Sequence, residues 1–223
     1  MRSSDTTDQV SETKPRAAER ILGVARKLFY LEGIRAVGVD EIVRQAGVTK
    51  PSLYRSFPSK DELAASYLRE YEKAFWQRFD AAVEAHPGDP RRQIVAFLSS
   101  VGERAVMVGY RGCGMTNAAV EYPEPGHPAR LVGENNKREL RRRLRAMAKE
   151  MGAADPDTLG DGLLLLIEGA YISGQLFGPG GPAAAVARNA DLLIEASLGS
   201  AGDSLLFSAE RQSRTEADAS GKK

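Results

Sequence analysis

Lys50, Ser52, Tyr54 and Arg55 stand close together in the chain, behind Thr49 and around Pro51. If this stretch forms a helix, Leu53 and Phe57 at i, i+4 turn inward and the polar residues turn outward. That outward set suits a nucleic-acid duplex. Lys50 and Arg55 can reach guanine edges or phosphates, and Ser52 can donate to either. Thr49, with the free N–H groups of the helix start, can hold a phosphate. Tyr54 can hydrogen-bond a phosphate while its ring packs on the scaffold. Lys60 would clamp the backbone beside the short helix. A helical hairpin that shows a basic face only to water has the same spacing, so the pattern alone leaves both readings open.

The elements that must position these residues are all helical. Ile21, Leu22, Ala25, Leu28 and Phe29 form one helix face, which should stop near Gly33. Val39, Ile42, Val43 and Ala46 form a second, shorter stripe closed by Gly47. Thr49 can N-cap the third helix, with Pro51 in its first turn, where a missing N–H costs little. The Gly47-Val48-Thr49 link between two short helices is the geometry of a helix-turn-helix, over residues 38–57. Pro58 ends the third helix, and Ser59 to Glu62 reads as a capping box for a fourth running to about Ala85. Beyond it, Asp89-Pro90, His127-Pro128, Asp155-Pro156 and Gly181-Pro182 each open a helix, to about Ala105, Met151, Phe177 and Leu198. A short helix, about Met115 to Glu121, lies between. No persistent alternation argues for strands. The expected fold is all-α, with about nine helices.

The stretch Arg20-Ile21-Leu22 … Ala25 … Leu28-Phe29 … Gly33-Ile34 … Val39-Asp40-Glu41-Ile42 … Ala46-Gly47-Val48-Thr49-Lys50-Pro51-Ser52-Leu53-Tyr54 … Phe57-Pro58-Ser59-Lys60-Asp61-Glu62-Leu63 resembles the DNA-binding domain of the TetR family of bacterial transcriptional regulators. The resemblance covers about residues 15–75. It implies a helical homodimer that binds double-stranded DNA at a palindromic operator, usually as a repressor, and is released by a small molecule held in the C-terminal domain. It places Thr49, Lys50, Pro51, Ser52, Tyr54 and Arg55 at the recognition helix and Lys60 at a flanking phosphate. The chain departs from the family pattern at Val37, Gly38 and Val39, where Ser or Thr often caps the second helix and touches a phosphate. It departs again at Pro51, where Gly or Ala is common.

Residues 76–199 look like the family's variable domain, for ligand binding and dimerisation. Candidate ligand-binding residues are Trp76, Phe79, Phe97, Val101, Met107, Tyr110, Met115, Asn117, Glu121, Tyr122, Glu168 and Tyr171, apolar walls with a few polar anchors. Plain core packing competes with that reading for each aromatic or Met taken singly. Glu121 and Glu168 sit on mostly apolar stretches, and a buried carboxylate needs a partner: a cationic ligand or an arginine of the same domain. The helices at about 156–177 and 182–198 carry wide apolar and small-residue faces, fit for a two-fold homodimer interface. The arginines of residues 130–149 read as a solvated helix face rather than a nucleic-acid or membrane site. Cys113 reads as a small buried residue rather than an oxidant or electrophile sensor.

Composition narrows the function classes. The chain has 223 residues, 42% hydrophobic and 27% charged, an ordinary globular balance. Its net charge of +1 divides into +4 over residues 1–60 and −3 over the rest, a mildly basic head on a mildly acidic body. One cysteine excludes an internal disulfide and a cysteine-based zinc site. His86 and His127 each stand beside a proline, and no H-E-x-x-H, G-x-S-x-G or phosphate-loop motif occurs. No catalytic residue, metal or cofactor is therefore assigned. Plentiful carboxylates leave an enzyme, and the helical pattern a small-molecule-binding or interaction protein without DNA, as the rival readings. No apolar run is long enough to span a membrane, and the polar start, Met1 to Glu12, does not read as a secretory leader, so a cytoplasmic protein is expected. Residues 1–14 and 200–223 are expected to be disordered.

Overall fold

A computed structural model describes residues 16–199. The expected arm at 1–14 and tail at 200–223 lie outside these residues. Nine α-helices and no strand occur among them. The helices are α1 (Ala17–Glu32), α2 (Val39–Ala46), α3 (Lys50–Ser56), α4 (Lys60–Ala85), α5 (Pro90–Ala105), α6 (Gly114–Glu121), α7 (Pro128–Glu150), α8 (Pro156–Phe177) and α9 (Val186–Gly199).

Local chemistry sets most boundaries. Ser59, Asp89 and Asp155 each accept the N–H three residues on, at 3.1, 3.0 and 3.0 Å. This satisfies one of the free donors of a helix start. His127 does similar work with Nδ1, accepting from the Ala129 N–H at 3.2 Å. The last helix starts differently from expectation. Pro182–Ala185 forms one 3-10 turn before α9 begins. Its tighter i→i+3 bonding matches the close seat of the Ala183 backbone against Gly102 of α5.

Two packed regions share α4. In the head, Ile21, Ala25 and Phe29 of α1 meet Ile42 of α2, Leu53 of α3 and Leu63 and Leu68 of α4. In the body, α4 and α5 pack with α7, α8 and α9 around Phe75, Phe97, Leu98, Leu140, Leu144, Leu163, Ile167 and Ile194. Helix α6 packs on α7 and α4 at the junction of the two. All six arginines of α7 pair with carboxylates: Arg130 and Arg138 with Glu134, Arg142 and Arg143 with Glu139, Arg141 and Arg145 with Asp161. That basic run is a neutralised, solvated face.

Candidate nucleic-acid interface and ligand cavity

The turn of the helix-turn-helix is set by Gly47. Its φ of 60° is left-handed, which a side chain resists, and it ends α2 there. Val48 packs against the core, and the Val48 N–H donates to the Val43 carbonyl at 3.1 Å. Thr49 then caps α3, its Oγ1 accepting from the Ser52 N–H at 3.4 Å. Leu53 is fully buried and Phe57 half-buried, so the seam that holds α3 to the head is short. Lys50, Pro51, Tyr54 and Arg55 are left exposed on one side, with Ser52 half-buried among them. Ser52 Oγ takes a hydrogen bond from Arg55 Nη2 at 3.3 Å. Lys50 Nζ lies 2.7 Å from Asp40 Oδ1, and that contact raises the lysine's pKa. Gly38 stands at the N-cap of α2 with no side-chain cap.

Lys60 opens α4 beside the end of α3. It is half-buried, donates to the Arg35 carbonyl at 3.3 Å, and burial lowers its pKa. Arg35 is also where α6 meets the head. The Arg35 N–H donates to Glu121 Oε2 at 2.7 Å, and Arg35 Nη1 donates to the Glu121 carbonyl at 3.1 Å. Tyr122 stacks on His127 at 3.8 Å between ring centroids, and His127 Nε2 lies 3.5 Å from Asp61 of α4. Glu121 thus ties α6 to the head, and Tyr122 stacks beside it on the residue that caps α7.

The other body residues divide three ways. Phe97, Val101, Tyr110 and Tyr171 converge on an inner void closed down to about 10 Å³. Trp76 and Phe79 join Phe75 and Phe97 in an edge-to-face cluster, with the Arg143 guanidinium 4.2 Å from the Trp76 ring centroid. Met115 is fully buried core, whereas Met107 is 63% exposed in the turn after α5, its carbonyl accepting from the Tyr110 N–H at 3.2 Å. Asn117 pins the loop before α6, donating to the Arg111 carbonyl at 2.7 Å. Glu168 pairs with Lys137 of α7 at 2.6 Å and accepts from Thr116 of α6 at 2.8 Å. Its partner is a lysine, where an arginine or a cationic ligand was expected. Cys113 is buried, with Lys137 Nζ 3.7 Å from its sulfur.

A larger cleft, of about 510 Å³, lies between α1 and α4, outside the residues that the sequence offers as ligand-binding candidates. Its walls are Arg26, Lys27, Tyr30 and Leu31 of α1, Tyr67, Glu70, Tyr71 and Arg78 of α4, and Arg104 at the end of α5. Tyr71, Arg78 and Arg104 also border the inner void. One sequence signal was available: Tyr67, Tyr71, Ala74 and Arg78 fall at i, i+4, i+7 and i+11, a single stripe of α4.

Comparison with known proteins agrees with this geometry. A family model described as "Bacterial regulatory proteins, tetR family" matches residues 21–67. The HTH-type transcriptional regulator EthR of Mycolicibacterium smegmatis is 35% identical over 86 residues, 37% of this chain and 40% of that protein. LmrA of Bacillus subtilis, also named an HTH-type transcriptional regulator, is 36% identical over 84 residues, 37% of this chain and 44% of its own length. The chain thus spans about two fifths of the length of these curated relatives. The crystal structure of a TetR-family transcriptional regulator from Streptomyces coelicolor aligns over 84% of this chain and 96% of that one, at 30% identity and a TM-score of 0.74. Head, body and their connection are therefore shared as a whole, and the chain belongs to the TetR family of bacterial regulatory proteins.

Proposed function

We propose that the chain is a dimeric DNA-binding transcriptional regulator, a repressor that a small molecule releases from a palindromic operator in the cytoplasm. The observation that carries this reading is the outward presentation of Lys50, Tyr54 and Arg55 on a helix whose only fully buried residue is Leu53. Thr49, Pro51 and Ser52 complete the reading surface, and Lys60, beside it at the start of α4, takes a flanking phosphate.

The dimer is formed through α8 and α9. Leu165, Ile172 and Leu176 are 72%, 53% and 69% exposed and lie along one stripe of α8, beside Leu192 of α9 at 58%. So much apolar surface on two adjacent helices supports a second copy as its cover. Two-fold symmetry would then set the recognition helices about 34–36 Å apart or somewhat more, in successive major grooves.

Selection of bound duplexes from a random library tests the reading. The expected outcome is a palindromic site whose affinity falls steeply with salt. Tyr54→Ala should weaken all duplexes alike, as loss of a phosphate contact does, while Lys50→Ala and Arg55→Ala should also shift base preference. A purified protein that ignores duplex DNA at low ionic strength refutes it.

A further inference from the structure

We propose that the cleft between α1 and α4 binds a small organic anion, a carboxylate carried on an aromatic or other apolar body. The inference rests on the reading of the chain as a ligand-responsive regulator, and it assigns the ligand's class and place. A volume of about 510 Å³ suits a molecule of metabolite or drug size.

Charge sets the sign of the ligand. Arg26, Lys27, Arg78 and Arg104 face the cleft against the single carboxylate of Glu70. Arg78 and Arg104 are each half-buried, and neither meets a carboxylate within ion-pair distance among the described residues. They differ in this from every arginine of α7. Burial, and then the like charge of Arg104, weaken Arg78's hold on its proton. Two such guanidinium groups repel each other, and an anion between them relieves that repulsion. The planar fork of arginine matches a carboxylate through paired hydrogen bonds.

The walls set the ligand's body. Tyr30 and Tyr71 stack at 6.2 Å between centroids and 29° between planes, offering ring faces beside the cations. Tyr30 belongs to the head and also holds the body: its hydroxyl accepts from the Arg111 N–H at 3.0 Å and donates to the Gly112 carbonyl at 3.3 Å. A ligand in the cleft therefore touches both parts of the molecule.

Calorimetric titration of the full chain with 2-naphthoate and with decanoate tests this, with 2-naphthamide as the neutral control and inorganic phosphate as the anion without a body. At least one carboxylate should bind stoichiometrically, and the amide and phosphate at least about tenfold more weakly. Arg78→Gln and Arg104→Gln should each weaken the carboxylate at least about tenfold, and Arg92→Gln, at an exposed site on α5, should not. Thermal melts of the two cleft variants should match or exceed the parent's, because each removes an unpaired charge. The inference is overturned if neither carboxylate binds, if amide or phosphate binds as well, or if the cleft variants bind like the parent. Cleft variants that lose duplex DNA in a protein that binds no carboxylate would mark the cleft as a DNA phosphate contact, and overturn it too. The two readings fail separately. A protein that binds its selected duplex and no carboxylate sinks only the ligand; one that binds the carboxylate and no duplex sinks only the regulator.

Discussion

Replacing Lys137 by Met is the sharpest test of how the body is held together. The ammonium lies 2.6 Å from Glu168 Oε1, 3.7 Å from the Cys113 sulfur and 4.9 Å from the Tyr171 ring centroid. Methionine keeps much of the stem and removes the charge, leaving Glu168 with Thr116 as its one remaining hydrogen-bond donor. Removing one partner of a fully buried pair costs about 3–5 kcal/mol. Here the two side chains are 21% and 29% exposed, so water screens part of the loss. The expected cost is about 2–3 kcal/mol, which lowers the melting temperature of a chain this size by about 4–12 °C. Lys137→Met combined with Glu168→Leu removes both charges and should return to within about 1 kcal/mol of the parent, because no carboxylate is then stranded. Urea melts by circular dichroism at pH 7 and one fixed protein concentration measure all four corners of the cycle. A Lys137→Met protein as stable as the parent, or a double variant as weak as the sum of the singles, refutes the reasoning. The pH dependence has a definite sign. Burial opposes the ammonium, but Cys113 and Glu168 outweigh it and hold the lysine above its ordinary value. A raised folded pKa means the contribution is complete below about pH 10, near the unfolded value, and is lost as pH rises through the folded one. The parent should therefore lose stability in alkali more steeply than the double variant.

Asp40→Asn frees Lys50 and removes a negative charge beside the reading surface. It should tighten duplex binding by about two- to fivefold at low salt in a mobility-shift titration, with the gain fading as salt screens it. Gly33 has φ 94° and ψ 149°, a region almost confined to glycine, and faces the Glu121 carboxylate. Gly33→Ala should cost about 1–3 kcal/mol in urea melts and loosen the tie between α6 and the head. Ile172→Glu or Leu176→Glu places a carboxylate in the proposed subunit interface. Analytical ultracentrifugation should find monomers, and duplex binding should fall with the dimer.

The head was legible because its determinants are local. A capping Thr49 or Ser59, a left-handed Gly47 and an i, i+4 pair such as Leu53 and Phe57 act within a turn or two of themselves. Those signals predict where α3 starts and which of its sides is free. The contacts between head and body were not legible, for the converse reason. Glu121 needed a partner, as any carboxylate on an apolar stretch does. That partner is a backbone N–H 86 residues away, which no periodicity announces. Cys113 shows only Arg111 as a basic neighbour along the chain, yet Lys137 reaches it from α7. The stripe from Tyr67 to Arg78 is visible on α4, but it becomes a cleft wall only because α1 and the end of α5 stand opposite it.

The placement of the polar contacts bears on how a small molecule can move the head. Helix α6 holds the head through the two Arg35–Glu121 bonds, and the loop before α6 holds it through Tyr30. Each such bond contributes about 0.5–1.5 kcal/mol net. A ligand shifts an equilibrium only by its differential affinity for the two states. Preferring one head position by tenfold to a hundredfold supplies about 1.4–2.8 kcal/mol, comparable with one or two of these bonds. The cleft is well placed for that leverage, since α1 forms one wall and α4 the other, so a change in the α1–α4 spacing changes the ligand's contacts directly. By linkage the operator must then weaken the ligand by the same factor that the ligand weakens the operator. Arg35→Ala, which removes the guanidinium bond to α6 and leaves the cleft walls intact, should alter that factor more than it alters ligand affinity in the absence of DNA.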